Sequence, residues 1–102
     1  MNQSQMLAQM RKVQQEMVKA QEELAATVVT GNAAGDAVAV QMTCDYRVKS
    51  VKLGKDAVDP EDLETLEDLL VVACNDAVAK AQDTSSKRMG ALTGGMRIPG
   101  LM

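Results

Sequence analysis

Near the start of the chain, apolar residues recur at intervals of four, three, four, three and four: Met6, Met10, Val13, Met17, Ala20 and Leu24. That spacing is a heptad seam on one long helix. Polar Gln3, Ser4 and Gln5 open it, and the β-branched run from Thr27 to Thr30 ends it, so a helix is predicted over Gln3–Ala26. Leu7 and Val18 widen the apolar face. Arg11, Lys12, Glu16, Lys19, Glu22 and Glu23 take exposed positions, with Lys19 at neighbour spacing from Glu16, Glu22 and Glu23. Such a rod is roughly 36 Å long, whereas a compact chain of this size has a radius of gyration of about 13 Å. The seam therefore calls for a partner, and the simplest is a second copy of the chain.

After Ala26 the period shortens to two. Thr27–Thr30 reads as a first strand, and Gly31–Gly35 as a loop of hairpin length. In Ala37–Cys44, Val38, Val40, Met42 and Cys44 face one way and Ala37, Ala39, Gln41 and Thr43 the other. Asp45 and Tyr46 mark a second reversal. Arg47–Leu53 is the third strand, with Val51 and Leu53 on one face and Val48 on the opposite one; Gly54 ends it.

Asp59-Pro60 then opens a second helix, with Asp59 as cap, Pro60 in the first turn and Glu61, Asp62 and Glu64 at the positive end of the dipole. Its apolar stripe runs through Leu63, Leu66, Leu70, Ala73, Ala77 and Ala81, broadened by Leu69, Val71, Val72 and Val78. That breadth predicts burial against both the sheet and a neighbouring subunit. The helix is expected to end near Met89, before Gly90, leaving a mobile tail from about residue 91. The order is α-β-β-β-α: one α+β domain over residues 1–102, a small antiparallel sheet with long helices at both ends.

Composition sharpens the case for association. Aromatic residues make up 1% of the chain, Tyr46 alone, so the core rests on Val, Leu, Ala and Met. These bury less area each than aromatic side chains do, and a monomer built from them is poorly stabilised. The net charge of −3 lacks the basic balance usual in nucleic-acid binders. No stretch approaches a membrane span or a signal peptide, so a cytoplasmic protein without membrane contact is expected. Cys44 and Cys74 are too far apart for a paired-cysteine motif and are expected to be reduced and packed.

The chemistry of catalysis is missing. With no histidine, the usual general base and the commonest metal ligand are both absent. The acids Asp56, Asp59, Glu61, Asp62, Glu64, Glu67 and Asp68 read as a helix start and a solvated face rather than a calcium loop. Gly94-Gly95 is no phosphate loop, because no lysine of the right kind follows it. The chain is expected to have no cofactor, no metal and no enzymatic activity. Phosphate contacts to duplex DNA need only Lys and Arg. The candidates are Arg11, Lys12 and Lys19 on the first helix; Arg47, Lys49, Lys52 and Lys55 around the third strand; and Lys80, Lys87, Arg88 and Arg97 toward the C-terminus. Alternation puts Arg47 and Lys49 on one face and Lys52 on the other. For a dimer interface the candidates are Met10, Val13, Met17, Leu66, Leu69, Leu70 and Ala73.

The segment from Asp59 to Leu70, DPEDLETLEDLL, followed by Ala73-Cys74-Asn75-Asp76-Ala77, resembles the signature of the YbaB/EbfC family of bacterial nucleoid-associated proteins. The Met- and Gln-rich first helix, the stretch Val48-Lys49-Ser50-Val51-Lys52-Leu53 and the tail from Met89 to Met96 with Pro99-Gly100 match the family's layout. The resemblance covers essentially the whole chain. It implies an intertwined, tweezer-like homodimer that binds duplex DNA, alters its shape and contributes to nucleoid organisation and gene regulation. It places the protein in the cytoplasm, on the nucleoid, with recombination-repair proteins as further partners. The alternative is a dimeric protein-interaction module without DNA affinity, for which the acidic charge and the apolar seam argue.

Overall fold

The structure, a computed structural model, describes residues 2–93. Helix α1 (Gln3–Ala26) leads into strands β1 (Val28–Ala33), β2 (Val38–Thr43) and β3 (Val48–Leu53). A 3₁₀ turn at Lys55–Ala57 precedes helix α2 (Leu63–Thr93). The strands form one antiparallel sheet in the order β1-β2-β3. The predicted α-β-β-β-α order and the bounds of α1 are those observed.

Asn2 caps α1: its side chain accepts from the Gln5 N–H at 2.8 Å, and the Gln5 side chain accepts from the Asn2 N–H at 3.4 Å. This reciprocal pair satisfies two of the otherwise unpaired donors of the first turn. At the start of α2 the structure corrects the expected boundary. Asp59 and Pro60 form a turn before the helix, in which the Asp62 N–H donates to the Asp59 carbonyl at 2.9 Å. Asp followed by Pro suits the first two places of a β-turn as well as it suits a helix start. The cap is Asp62, whose carboxylate accepts from the Thr65 N–H at 3.3 Å and the Thr65 hydroxyl at 2.6 Å. At the other end α2 continues through Gly90 to Thr93, past the expected stop; the rest of the expected tail, 94–102, lies outside the described residues.

Two strand expectations are also corrected. Gly31, Asn32 and Ala33 belong to β1 and not to a loop, and the reversal falls at Ala34 and Gly35, with φ of 50° and 68°. In β3, Val51 pairs with Val40 and Leu53 with Val38, but a register shift brings Val48 opposite Met42. Cross-strand partners share a face. The extra residue of this bulge therefore returns Val48 to the same side as Val51 and Leu53, the side that α2 packs on.

The core sits between α2 and that face of the sheet. Val38, Val40, Met42 and Cys44 alternate into it as predicted and meet Ala73, Ala77 and Ala81 from α2. Helix α2 lies over β1 and β2 and leaves β3 uncovered. Val48, Val51 and Leu53 are thus 54%, 46% and 45% exposed although they face the helix layer.

Candidate nucleic-acid interface

Ion pairing divides the predicted basic residues into two groups. Arg88 meets Glu23 at 2.9 Å and ties the last turns of α2 to α1. Lys87 pairs with Asp83 at 2.9 Å along α2. Lys80 lies 3.0 Å from Asp76 and donates to the Thr30 carbonyl at 2.8 Å. Arg47, the most solvated of the paired cations, sits 3.8 Å from Asp45. A paired cation must give up or share its partner to meet a phosphate, so these four are the weaker candidates.

Arg11, Lys12, Lys19, Lys49, Lys52 and Lys55 form no ion pair among the described residues, and all six are exposed. Lys12 and Lys19, seven residues apart, share one face of α1, opposite its apolar seam. Arg11 lies about 100° around the helix from Lys12. On β3, Lys52 pairs with Ala39 on the sheet face that no helix covers. That face also carries the Ser50 hydroxyl, which donates to the Gln41 side chain at 2.8 Å. Lys49 is the additional residue of the bulge, and Lys55 opens the 3₁₀ turn. A single chain does not merge the α1 group with the β3 group. Arg97 lies outside the described residues.

The acidic balance is local. Half of the fourteen acids, Asp56 to Asp68, lie between β3 and the second turn of α2. The free cations of α1 lie toward the other end of a molecule 70 Å long and 26 by 16 Å across. Along α1 itself Arg11, Lys12 and Lys19 are matched in number by Glu16, Glu22 and Glu23, of which Glu23 is held by Arg88. Tyr46, the lone aromatic, is half exposed and cannot provide a series of stacking platforms, so contacts to bases are not favoured over contacts to phosphates.

The dimer-interface candidates also separate. Met10 and Met17 are exposed and Val13 half-buried on α1; Leu66, Leu69 and Leu70 are half-buried against the core; Ala73 is fully buried within its own chain and has no side-chain surface left for a partner. Cys44 is buried and Cys74 half-buried, both as free thiols. Among the described residues no three His, Cys, Asp or Glu side chains are grouped to hold a metal, and no helix is long and apolar enough to cross a membrane.

The chain is thus a small α+β fold with exposed cations on its first helix and on one sheet face. The comparisons with known proteins name the family. The model of the YbaB/EbfC DNA-binding family matches residues 1–96, and the chain belongs to that family. A nucleoid-associated protein of Roseiflexus sp. (strain RS-1) is 48% identical over 100 residues, which cover 98% of this chain and 99% of the relative. One from Chloroflexus aurantiacus (strain J-10-fl) is 47% identical over 97 residues, covering 95% and 97%. The crystal structure of the uncharacterized protein HP0035 from Helicobacter pylori shares the fold, with a TM-score of 0.80 over 92% of this chain and 99% of that one at 19% identity.

Proposed function

We propose that two copies of this chain bind duplex DNA together, largely through phosphates, and alter its path, so contributing to nucleoid organisation and gene regulation. The observation that carries the reading is the set of six exposed cations without ion pairs among the described residues, on a chain of a DNA-binding family. In a two-fold dimer the set doubles to twelve, at a spacing fixed by the protein. The protein acts as a binder and not as an enzyme, and works in the cytoplasm on the nucleoid. Recombination-repair proteins belong among its partners.

Binding of this kind releases counterions, with log K falling against log salt by about 0.9 for each phosphate neutralised. Anisotropy titrations of labelled duplexes at several salt concentrations test it. Replacing Lys49, Lys52 and Lys55 together with Ala is expected to weaken binding to all sequences alike and to flatten the salt slope by about 1 per lost contact. Absence of binding at low salt would favour the second reading, a protein-interaction module, for which the acidic net charge and the exposed apolar seam of α1 argue. Co-purification from nuclease-treated cells would then identify the protein it holds.

A further inference from the structure

The sheet has a second face. Cross-strand pairing sets Thr30, Gln41 and Ser50 in one row and Asn32, Ala39 and Lys52 in the next. This side is opposite Val38, Val40 and Met42, and neither helix lies over it. The chain carries eleven Lys and Arg and fourteen Asp and Glu, yet Lys52 is the one charged side chain among these six positions and none is acidic. Asp36, Asp45 and Asp56 lie in the turns between and after the strands, and Asp45 is engaged by the Thr43 hydroxyl and by Arg47. At the centre of the face the Ser50 hydroxyl donates to the Gln41 side-chain oxygen at 2.8 Å. That bond holds the amide in place across two strands and leaves its nitrogen as a donor and its oxygen with one lone pair. Both residues are half-buried, so a contact made by this pair costs little further side-chain ordering.

A hydrogen-bonding face without acids, beside a row of cations, complements a polyanion. Lys49, Lys52 and Lys55 stand along and just beyond β3, all exposed. Lys80 reaches the opposite edge, where it donates to the Thr30 carbonyl at 2.8 Å. From β1 to β3 the sheet spans about 10 Å, against a major groove about 12 Å wide. The two rows are about 7 Å apart along the strands, close to two base-pair steps of about 3.4 Å each. Without a series of stacking aromatics, bases are met at their edges. Amide and hydroxyl side chains carry the donors and acceptors that match those edges in the major groove.

We propose that this face enters the major groove of duplex DNA and reads base edges there, with Gln41, steadied by Ser50, as the principal contact. This use of the face rests on the DNA-binding reading above and adds sequence preference to it: the β3 cations hold phosphates at the rim of the groove while the neutral rows meet the bases. The full chain selects a duplex from a random-sequence pool, and anisotropy at one salt concentration compares that duplex with a scrambled one. The parent is expected to favour the selected duplex about tenfold or more. Gln41→Thr, which suits a strand, should weaken the selected duplex alone, bring the two affinities together and leave the salt slope unchanged; Ser50→Ala should go part of the way. Replacing purines of the selected site by 7-deaza analogues removes N7 from the major groove only and should weaken the unaltered protein. Inosine for guanine removes only the minor-groove amino group and should not. The analogues decide even where a variant fails to fold. No preference in the parent, a preference unmoved by Gln41→Thr in folded protein, or indifference to the 7-deaza analogues would overturn the proposal while leaving phosphate binding in place. Absence of binding to either duplex at low salt would remove the reading beneath it, and the proposal with it.

Discussion

Gly31 sets how closely helix and sheet approach. A Cβ built there would lie 2.2 Å from the Ala73 carbonyl oxygen, 2.3 Å from the Ala77 nitrogen and 2.7 Å from the Ala77 Cβ. Two of these atoms are backbone, so no side-chain rotation relieves the clash; α2 itself must move. The facing residues Ala73, Ala77 and Ala81 are fully buried, which shows the contact to be small against small along three turns. Gly31→Ala is expected to lower stability by about 3 kcal/mol, measured as a fall in the urea midpoint with little change in slope. A loss well below 1 kcal/mol would mean that α2 slides at no cost. The same residue marks a limit of pattern reading. Two glycines four apart look like a loop, because sequence shows which residues permit a turn and not which ones a neighbouring helix leaves no room for. Val38, Val40, Met42 and Cys44 were legible for the opposite reason: alternation is a local property of the strand.

At the scale of elements, the two edges of the sheet are treated differently. On β1, Asn32 donates its N–H to the Asp76 carboxylate at 2.9 Å, and Thr30 accepts from Lys80 at 2.8 Å. An ion-paired couple one helical turn apart on α2 thus satisfies backbone groups that would otherwise template another strand. The Asn32 N–H, and after it the Lys80 ammonium, hold the Asp76 carboxyl below its ordinary value of 3.8. A depressed carboxylate stabilises the fold above its unfolded pKa, and that contribution is lost as the pH falls through the ordinary value toward the folded one. Asp76→Asn is therefore expected to be less stable than the parent at neutral pH, and the gap should narrow below pH 3.8. Urea unfolding at neutral and acid pH checks this; a gap constant with pH would show that the charge has no part in holding β1. Asp76 and Lys80 were visible in the sequence as residues, but the edge they serve was not, since that contact spans 44 positions. The candidate DNA contacts were legible to a similar extent. Counting cations only lists the candidates, whereas the fold shows that Arg88 is tied to Glu23 and that Lys12 and Lys19 form no ion pair among the described residues.

Across the whole molecule, exposed surface decides the assembly. The chain exposes 7669 Å², where a compact monomer of 10.9 kDa exposes about 5,600 Å². Its radius of gyration of 19.4 Å likewise exceeds the roughly 13 Å of a compact chain. Much of the excess is the rod of α1, but the sheet contributes a distinct part. Val48, Val51 and Leu53 extend the core face beyond the cover of α2, and β3 has no strand on its outer side among the described residues. The flank of α2 opposite Asp76 and Lys80 adds Leu63 and Val71, both exposed, with Cys74 and Val78 half-buried. Burying a half-exposed Val or Leu gains about 1 kcal/mol. The three β3 side chains of each copy then supply about 6 kcal/mol across a two-fold contact, near the low end of the 4–15 kcal/mol that association costs. The proposed two-fold contact would therefore have to engage the α2 flank as well as β3, with both α1 arms projecting from it. In sedimentation equilibrium the parent chain is expected at about twice 10.9 kDa at micromolar concentration. Val51→Asp with Leu53→Lys should give a single chain that keeps its helical circular dichroism, because neither side chain is part of the buried core. A parent chain that sediments as a folded monomer at that concentration would show that the apolar face of β3 is stable in water, and would remove the two-fold doubling of cations that the proposed DNA binding requires.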